Sequence, residues 1–578
     1  MMLSHPTRYA CLFFFVLSFF IYSRALGVKA LEFRDDEIFY FKASQEMLHS
    51  GNFLSPTYFG ENRFQKPILF YWLVIASYKL FGTSWASGRL VAVLFASLSV
   101  SLTWLMARKL FDEKIARLSA LILMTIPLFF RHAKNIVPDM ALNFFIVLAI
   151  YFFINFIRDP QRTKDLYLFF VSCALGFLVK GFAALIIPFG TAIIFILLTD
   201  RRNIVSLQKV SIGFLLFLLI ALPWFGFMTY AHGHDYLNYM VVDETKGRLF
   251  GTRHFLITDF LLARILNVVF YLKVLLNYFS PWGVLFLLGL PLAPNFWKND
   301  PNNREGLGIM MIWCLGGIIF FVSMRFVINH YLLVLTVPVS ILTAYFCQHA
   351  LSDQTIKSRI INFLRRAIVV LALFIGGGAY LFLVFFFLKY PSPWIFVLFP
   401  VYLLGLVFTF REKNHAKQII VLSVFMIFFY AQSDLLSKAG ITPHATLEAM
   451  AQPIRNDSRA NIAVGVGSHD IHEKAWQVYL DQKIYKTGAS SEDETRWHMG
   501  ELFKQSKTVY CLMTEADYLN RSDLFPPAMS TVVKEDYLMR RRMKLLDAGF
   551  WAALIHFDQR QVYNYLMEKI VLVKREST

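Results

Sequence analysis

Long apolar runs, each cut short by a small charged cluster, recur along the first three quarters of the chain, and the last quarter loses that pattern. A helix that crosses a bilayer needs roughly 20 apolar residues, with about 17 as the lower limit. On that measure the pattern predicts spanning helices at residues 10–30, 90–107, 118–130, 140–157, 166–179, 182–198, 212–227, 282–296, 307–324, 331–346, 367–388, 394–410 and 419–430. The prediction is a polytopic α-helical membrane protein with about thirteen transmembrane helices.

One apolar run is too short to decide by length. "PILFYWLVIASYKLFG", from Pro67, carries Tyr78 and Lys79 near its end. If it crosses the membrane, every later loop changes sides. Left on the surface, it puts Arg108, Lys109, Lys114 and Arg117, then Arg158, Arg162 and Lys164, then Arg201, Arg202 and Lys209 in the cytoplasm, and the later Lys and Arg clusters follow. Cytoplasmic loops carry that excess of basic residues. Residues 31–87 are therefore expected outside, as a first outer loop of juxtamembrane helices, with residues 228–281 as a long second outer loop. An odd number of spans leaves the N-terminus in the cytoplasm and the C-terminus outside.

Beyond about residue 437 the period changes. "NIAVGVGSHD" from Asn461 and "KTVYCLMTEADY" from Lys507 read as buried strands, and "DETRWHMGELFKQ" between them as an amphipathic helix. "FWAALIHF" from Phe550 and "EKIVLVKRE" from Glu568 are candidates for further strands. The expectation is a transmembrane domain over residues 1–437 and a small soluble α/β domain over 438–578, outside the membrane.

Composition adds two exclusions. The formal charge of +18 would suggest a polyanion partner in a soluble protein, but here the Lys and Arg sit in short loops between apolar runs and report topology, so no nucleic acid is expected. The five cysteines are scattered, with no disulfide framework or zinc spacing, and Cys511 in the tail reads as a core residue.

Most charges in wet loops need no further account. Asp36, Lys66, Asp139 and Lys180 differ because they lie against apolar runs, where a charge is costly without a partner or ligand. They share the outer face with Arg34, Asp35, Glu37 and Arg63 of the first loop, and with Arg248, Arg325, His330 and Tyr331 further on. Cations at head-group depth suit a lipid phosphate. A carboxylate among them orients an acceptor or takes its proton.

The stretch "DDEIFYFKASQEMLHSGNFLSPTYFGENRFQKPILFYW", followed by "PDMAL" and "KG", resembles the polyprenyl-phosphate-dependent membrane glycosyltransferases of the aminoarabinose (lipid A) transferase type, relatives of the protein O-mannosyltransferases. The resemblance implies a GT-C fold of thirteen transmembrane helices with outer juxtamembrane helices and a soluble outer domain. It also implies an enzyme of the bacterial inner membrane, working as a monomer on its outer face, with a polyprenyl-phosphate-linked sugar as donor and lipid A or another envelope glycan as acceptor. By position in the motifs, Asp36 is the catalytic carboxylate and Asp139 a second acid. Lys66 contacts the donor phosphate, assisted by Arg63, Lys180 and Arg248. Glu37, Tyr40, Arg325 and Tyr331 face the cavity.

The chain departs from the family at three positions. Phe39 stands where relatives hold a phosphate-binding Arg, and Gln65 and Thr245 stand at the usual metal-ligand positions, normally Glu and His. An amide and a hydroxyl make a poor divalent-metal pair, so no cofactor is expected. Two rival readings are an enzyme acting on protein Ser or Thr, and a transporter or flippase of lipid-linked sugars. The latter predicts inverted repeats and midplane charges, which the sequence does not show.

Overall fold

The computed structural model describes residues 5–24, 26–27, 35–240, 260–324, 327–349, 415–431, 443–457, 462–468, 473–481, 484–486, 492–504, 507–521, 529–538 and 567–576, with isolated positions besides. The expected spans at 367–388 and, for the most part, 394–410, the expected strand from Phe550, and Arg34, Thr245, Arg248 and Arg325 lie outside the described residues. The chain divides into two units, one of residues 1–26, 43–377 and 397–431, the other of residues 27–42, 378–396 and 432–578.

The first unit is helical. Its opening helix α1 (His5–Ser23) buries Phe14, Ser18, Ile21 and Tyr22 and exposes Tyr9, Leu12, Phe13, Val16 and Phe20. An exposed stripe of that size at helical spacing is a lipid-facing surface. Helix α2 (Asp35–Ser50) and a hairpin, β1 (Thr57–Tyr58) with β2 (Glu61–Asn62), follow. Phe59 and Gly60 both take positive φ, as a two-residue hairpin turn requires. The Glu46 carboxylate accepts from both their N–H groups, at 2.8 and 3.2 Å, so this acid of the first loop is used to hold the turn.

Helix α3 (Leu69–Phe81) is the short run of uncertain fate. Its 13 residues rise about 20 Å, short of a hydrocarbon core of roughly 30 Å. Helix α4 (Trp85–Leu110) starts on a Ser84–Ser87 capping box. It is among five described segments long and apolar enough to cross a membrane, with Asp139–Arg158, Leu207–Asn238, Pro301–Ser323 and Asn329–His349. The protein is a multi-pass membrane protein.

The expected span at 118–130 is two helices, α5 (Glu113–Thr125) and α6 (Pro127–His132). Pro127 removes a helical donor and holds Ile126 extended, at φ −63° and ψ 120°. The break frees carbonyls in a region without water, where each must find a donor. Tyr22 donates to the Met124 carbonyl and Tyr430 to that of Thr125, each at 3.1 Å. The redirected α6 then carries His132 into the interior, just before α7 (Asp139–Arg158) begins.

Helices α8 (Thr163–Lys180), α9 (Ala183–Leu198) and α10 (Leu207–Asn238) complete the wall. A Cβ on Gly176 of α8 would stand 2.9 Å from the Ala184 Cβ and 3.3 Å from that of Phe145, so the missing side chain lets α7, α8 and α9 close together. The described residues of the long outer loop expected over 228–281 are largely helix. α10 continues past a kink at Gly233 to Asn238, and a further helix spans Phe260–Tyr278. Arg264 and Asn267 interrupt the apolar pattern there, but both donate to the carbonyls of Val322 and Met324, so the polar groups are consumed within the protein.

In the second unit a five-stranded sheet runs in the order β4–β3–β5–β7–β6. β3 (Ile462–Val466) and β5 (Thr508–Thr514) pair in parallel, and β7 (Met567–Arg575) lies antiparallel to β5. These strands fall in the stretches beginning at Asn461, Lys507 and Glu568. Two-residue β4 (Tyr485–Lys486) and ten-residue β6 (Met529–Leu538) form the edges. Every residue of β5 is buried, and Met499, Leu502 and Phe503 of the helix Glu492–Phe503 pack on it with Val571 and Val573. Cys511 sits inside that cluster, and burial pushes its thiol up to about 12.

Candidate functional site

Helix ends assemble a cavity of about 380 Å³ in the first unit. Asp139 is the first residue of α7 and Lys180 the last of α8. An anion at a helix N-terminus and a cation at a C-terminus both lie with the helix dipole. Lys180 Nζ donates to Asp139 Oδ1 at 2.6 Å, with the two side chains 11% and 10% exposed. Gly181 turns the chain from α8 into α9 with φ +78° and ψ −145°, a conformation essentially reserved for glycine.

The rest of the wall comes from three places. The first loop contributes Gln65, Lys66 and Pro67, and Lys66 Nζ donates to the Gln65 carbonyl at 2.7 Å. The turn of 3-10 helix Asn329–Leu335 contributes His330 and Tyr331. His330 Nε2 lies 3.9 Å from Asp139 Oδ1, and the Tyr331 ring stacks on Phe321 at 5.6 Å between centroids. Leu142, Phe182, Ile186, Ile187, Phe320 and Val334 make most of the remaining surface apolar. Among the described residues the cavity has two ammonium groups and an imidazole against one carboxylate, set in an apolar wall.

Lys66, Asp139, Lys180, His330 and Tyr331, all marked in the sequence as polar groups of the outer face, line this one cavity, with Gln65 beside Lys66. Arg63 does not. It is 7% exposed, and its Nε donates to the Tyr71 hydroxyl at 3.1 Å, which ties the first loop to α3. Asp36, Glu37 and Tyr40 stand on residues 35–42, which belong to the second unit. Asp36 is exposed, whereas Glu37 is 1% exposed and Tyr40 is buried, so of the two acids Asp36 is the one open to a partner.

His330 was marked in the sequence only as one polar group of the outer face, and the fold brings it close to His132. His132 is fully buried, its ring centroid 5.8 Å from that of His330. The cue in the sequence was the pair of "RHAKN" and "INHYLL", each a polar interruption of an apolar run.

The donor set is a poor match for a divalent metal. Gln65 Oε1 is buried without a hydrogen-bond partner, but it is a neutral oxygen, and the Asp139 carboxylate of the same cavity is bound to Lys180. Among the described residues no group of three or more His, Cys, Asp and Glu side chains is placed to hold a metal ion.

Comparison with known proteins agrees with the resemblance seen in the first loop. Residues 65–227 match the family described as dolichyl-phosphate-mannose-protein mannosyltransferase. An uncharacterised protein of Aquifex aeolicus is 28% identical over 58% of this chain and 63% of its own length. An undecaprenyl phosphate-α-4-amino-4-deoxy-L-arabinose arabinosyl transferase of Pseudomonas fluorescens is 28% identical over 64% of this chain and 65% of its own length. The chain thus spans just under two thirds of the length of these relatives. The crystal structure of ArnT from Cupriavidus metallidurans bound to undecaprenyl phosphate superposes with a TM-score of 0.67 at 17% identity, covering 97% of each chain. That likeness concerns the fold.

Proposed function

We propose that this chain is a membrane glycosyltransferase of the aminoarabinose transferase type, which moves a sugar from a polyprenyl phosphate to lipid A or another envelope glycan at the outer face of the bacterial inner membrane. The observation that carries the reading is the cavity, where Lys66, Lys180 and His330 face an apolar wall. An anionic phosphate with an isoprenoid tail has those two needs. The arabinosyl transferases among the relatives, named for an undecaprenyl phosphate substrate, support the same reading.

The chemistry follows from charge. Breaking the bond between the anomeric carbon and the phosphate oxygen leaves positive charge on the sugar and negative charge on the departing phosphate. Lys66 stabilises that phosphate, joined by Lys180 and, from the second outer segment, Arg248. Such preorganised cations act without a metal. Asp139 holds the Lys180 ammonium at the end of α8. Asp36 orients the acceptor or takes its proton, and the acceptor oxygen attacks the face opposite the phosphate with inversion. An ionised phosphate acceptor needs only orientation, whereas a sugar hydroxyl needs the base. Tyr331 and Arg325 complete the substrate surround, while Glu37 and Tyr40, both buried, support the helix that carries Asp36. The protein acts as a monomer with its N-terminus in the cytoplasm and its C-terminal domain, residues 438–578, outside.

Asp36→Asn should abolish transfer while the protein stays folded and inserted. Near-normal transfer by that variant removes Asp36 from the mechanism. Mass spectrometry of surface lipids from a deletion strain should show the loss of one sugar mass, and that mass names both the sugar and its attachment site. The match to protein mannosyltransferases over residues 65–227 favours one second reading, transfer to Ser or Thr. Offering lipid A, core oligosaccharide and peptide acceptors side by side separates the two.

A further inference from the structure

One cavity group has no part in the chemistry above. His330 Nε2 stands 3.9 Å from Asp139 Oδ1, the same oxygen that Lys180 Nζ holds at 2.6 Å. Among the described residues, the titratable and charged groups around it are Asp139 from the start of α7, Lys180 from the end of α8, His132 from α6 and neighbouring Tyr331. Lys66 of the first loop lines the same cavity. The His132 ring is fully buried, and its Nδ1 lies 2.8 Å from the Leu128 carbonyl oxygen, which can only accept, so that nitrogen carries a proton in either charge state of the ring.

Among the described residues the Asp139 carboxylate is taken up by the Lys180 ammonium, and protonating His330 adds one positive charge to the cavity. We propose that His330 is a donor-binding residue, whose protonated imidazole adds that positive charge and strengthens binding of a polyprenyl phosphodiester. The inference rests on the cavity being the donor site. Imidazole ordinarily changes charge between pH 5 and 8, where Lys keeps its charge. A phosphodiester has no proton to gain or lose in that range, so any pH dependence of its binding belongs to the protein.

The test is calorimetric titration of the purified full-length chain in detergent with a farnesyl phosphodiester of a neutral hexose, from pH 5.5 to 8. A point charge added within several ångströms in a partly shielded cavity is worth about tenfold in affinity. The wild-type Kd should therefore rise about tenfold across the range. His330→Gln should bind weakly at every pH with no slope. His330→Arg should bind tightly at every pH with no slope, which also shows that the loss in the Gln variant is not a loss of fold. A flat wild-type profile, or an unchanged slope in His330→Gln, overturns the assignment. In that event Lys66→Met distinguishes the two layers of the argument: weakened binding in Lys66→Met keeps the cavity as the donor site, and wild-type-like binding in it takes that reading down as well.

Discussion

Asp139 and Lys180 are 41 residues apart and meet at 2.6 Å with about a tenth of each side chain exposed. Removing one member of so buried a pair leaves the other charge uncompensated, at a cost of about 3–5 kcal/mol. Asp139→Asn and Lys180→Met should each lower the thermal unfolding midpoint in detergent, and the double variant should recover most of the loss without recovering transfer. A double variant that melts as low as the sum of both would show that the pair is not what stabilises this corner. The same scale separates residues that the sequence could rank from those it could not. Lys66, Asp139 and Lys180 stood out because they lie against apolar runs, and all three reach the cavity wall. Arg63, named by position in the first-loop motif, donates its Nε–H to the Tyr71 hydroxyl, a partner that only the fold of the first loop onto α3 reveals. Cys511 needed only its strand pattern. With its thiol pushed up to about 12 by burial, it should resist maleimide at pH 8 in the native protein and react once the chain is unfolded.

At the scale of elements, the site depends on where helices stop. Pro127 ends α5 and directs His132 inward, Asp139 opens α7, and Gly181 ends α8 immediately after Lys180. Nothing lies within 4 Å of a Cβ built on Gly181, so Gly181→Ala meets no steric clash and tests the backbone alone. At φ +78° that backbone disfavours alanine by roughly 1–3 kcal/mol, and the strain falls next to the ammonium. Gly181→Ala should lower both the unfolding midpoint and the transfer rate. Full activity in that variant would mean that Lys180 reaches its place by some other constraint. Helix breakers of this kind are visible in sequence. The helix Phe260–Tyr278 was not, because Arg264 and Asn267 broke the apolar count while their side chains were bound to carbonyls some 55 to 60 residues away.

For the whole molecule, the alternation of apolar runs and basic loops was enough to predict a multi-pass helical protein, and the change of period near residue 437 anticipated strands in the tail, where β3, β5 and β7 lie. Which helix ends converge was not legible, since lipid-facing and core-facing helices have similar compositions when the solvent is itself apolar. In the cavity that results, charges sit together at helix ends, with an ion pair at hydrogen-bond distance, and the enzyme and transporter readings differ in whether the donor is consumed there. The most direct measurement is a reconstituted assay with the purified chain in liposomes, undecaprenyl phosphate carrying a labelled sugar, and lipid A. The account predicts that the label leaves the donor, free undecaprenyl phosphate appears in equal amount, and both events vanish in Asp36→Asn. Label that crosses the bilayer still attached to an intact donor, in the wild type and in Asp36→Asn alike, would contradict it.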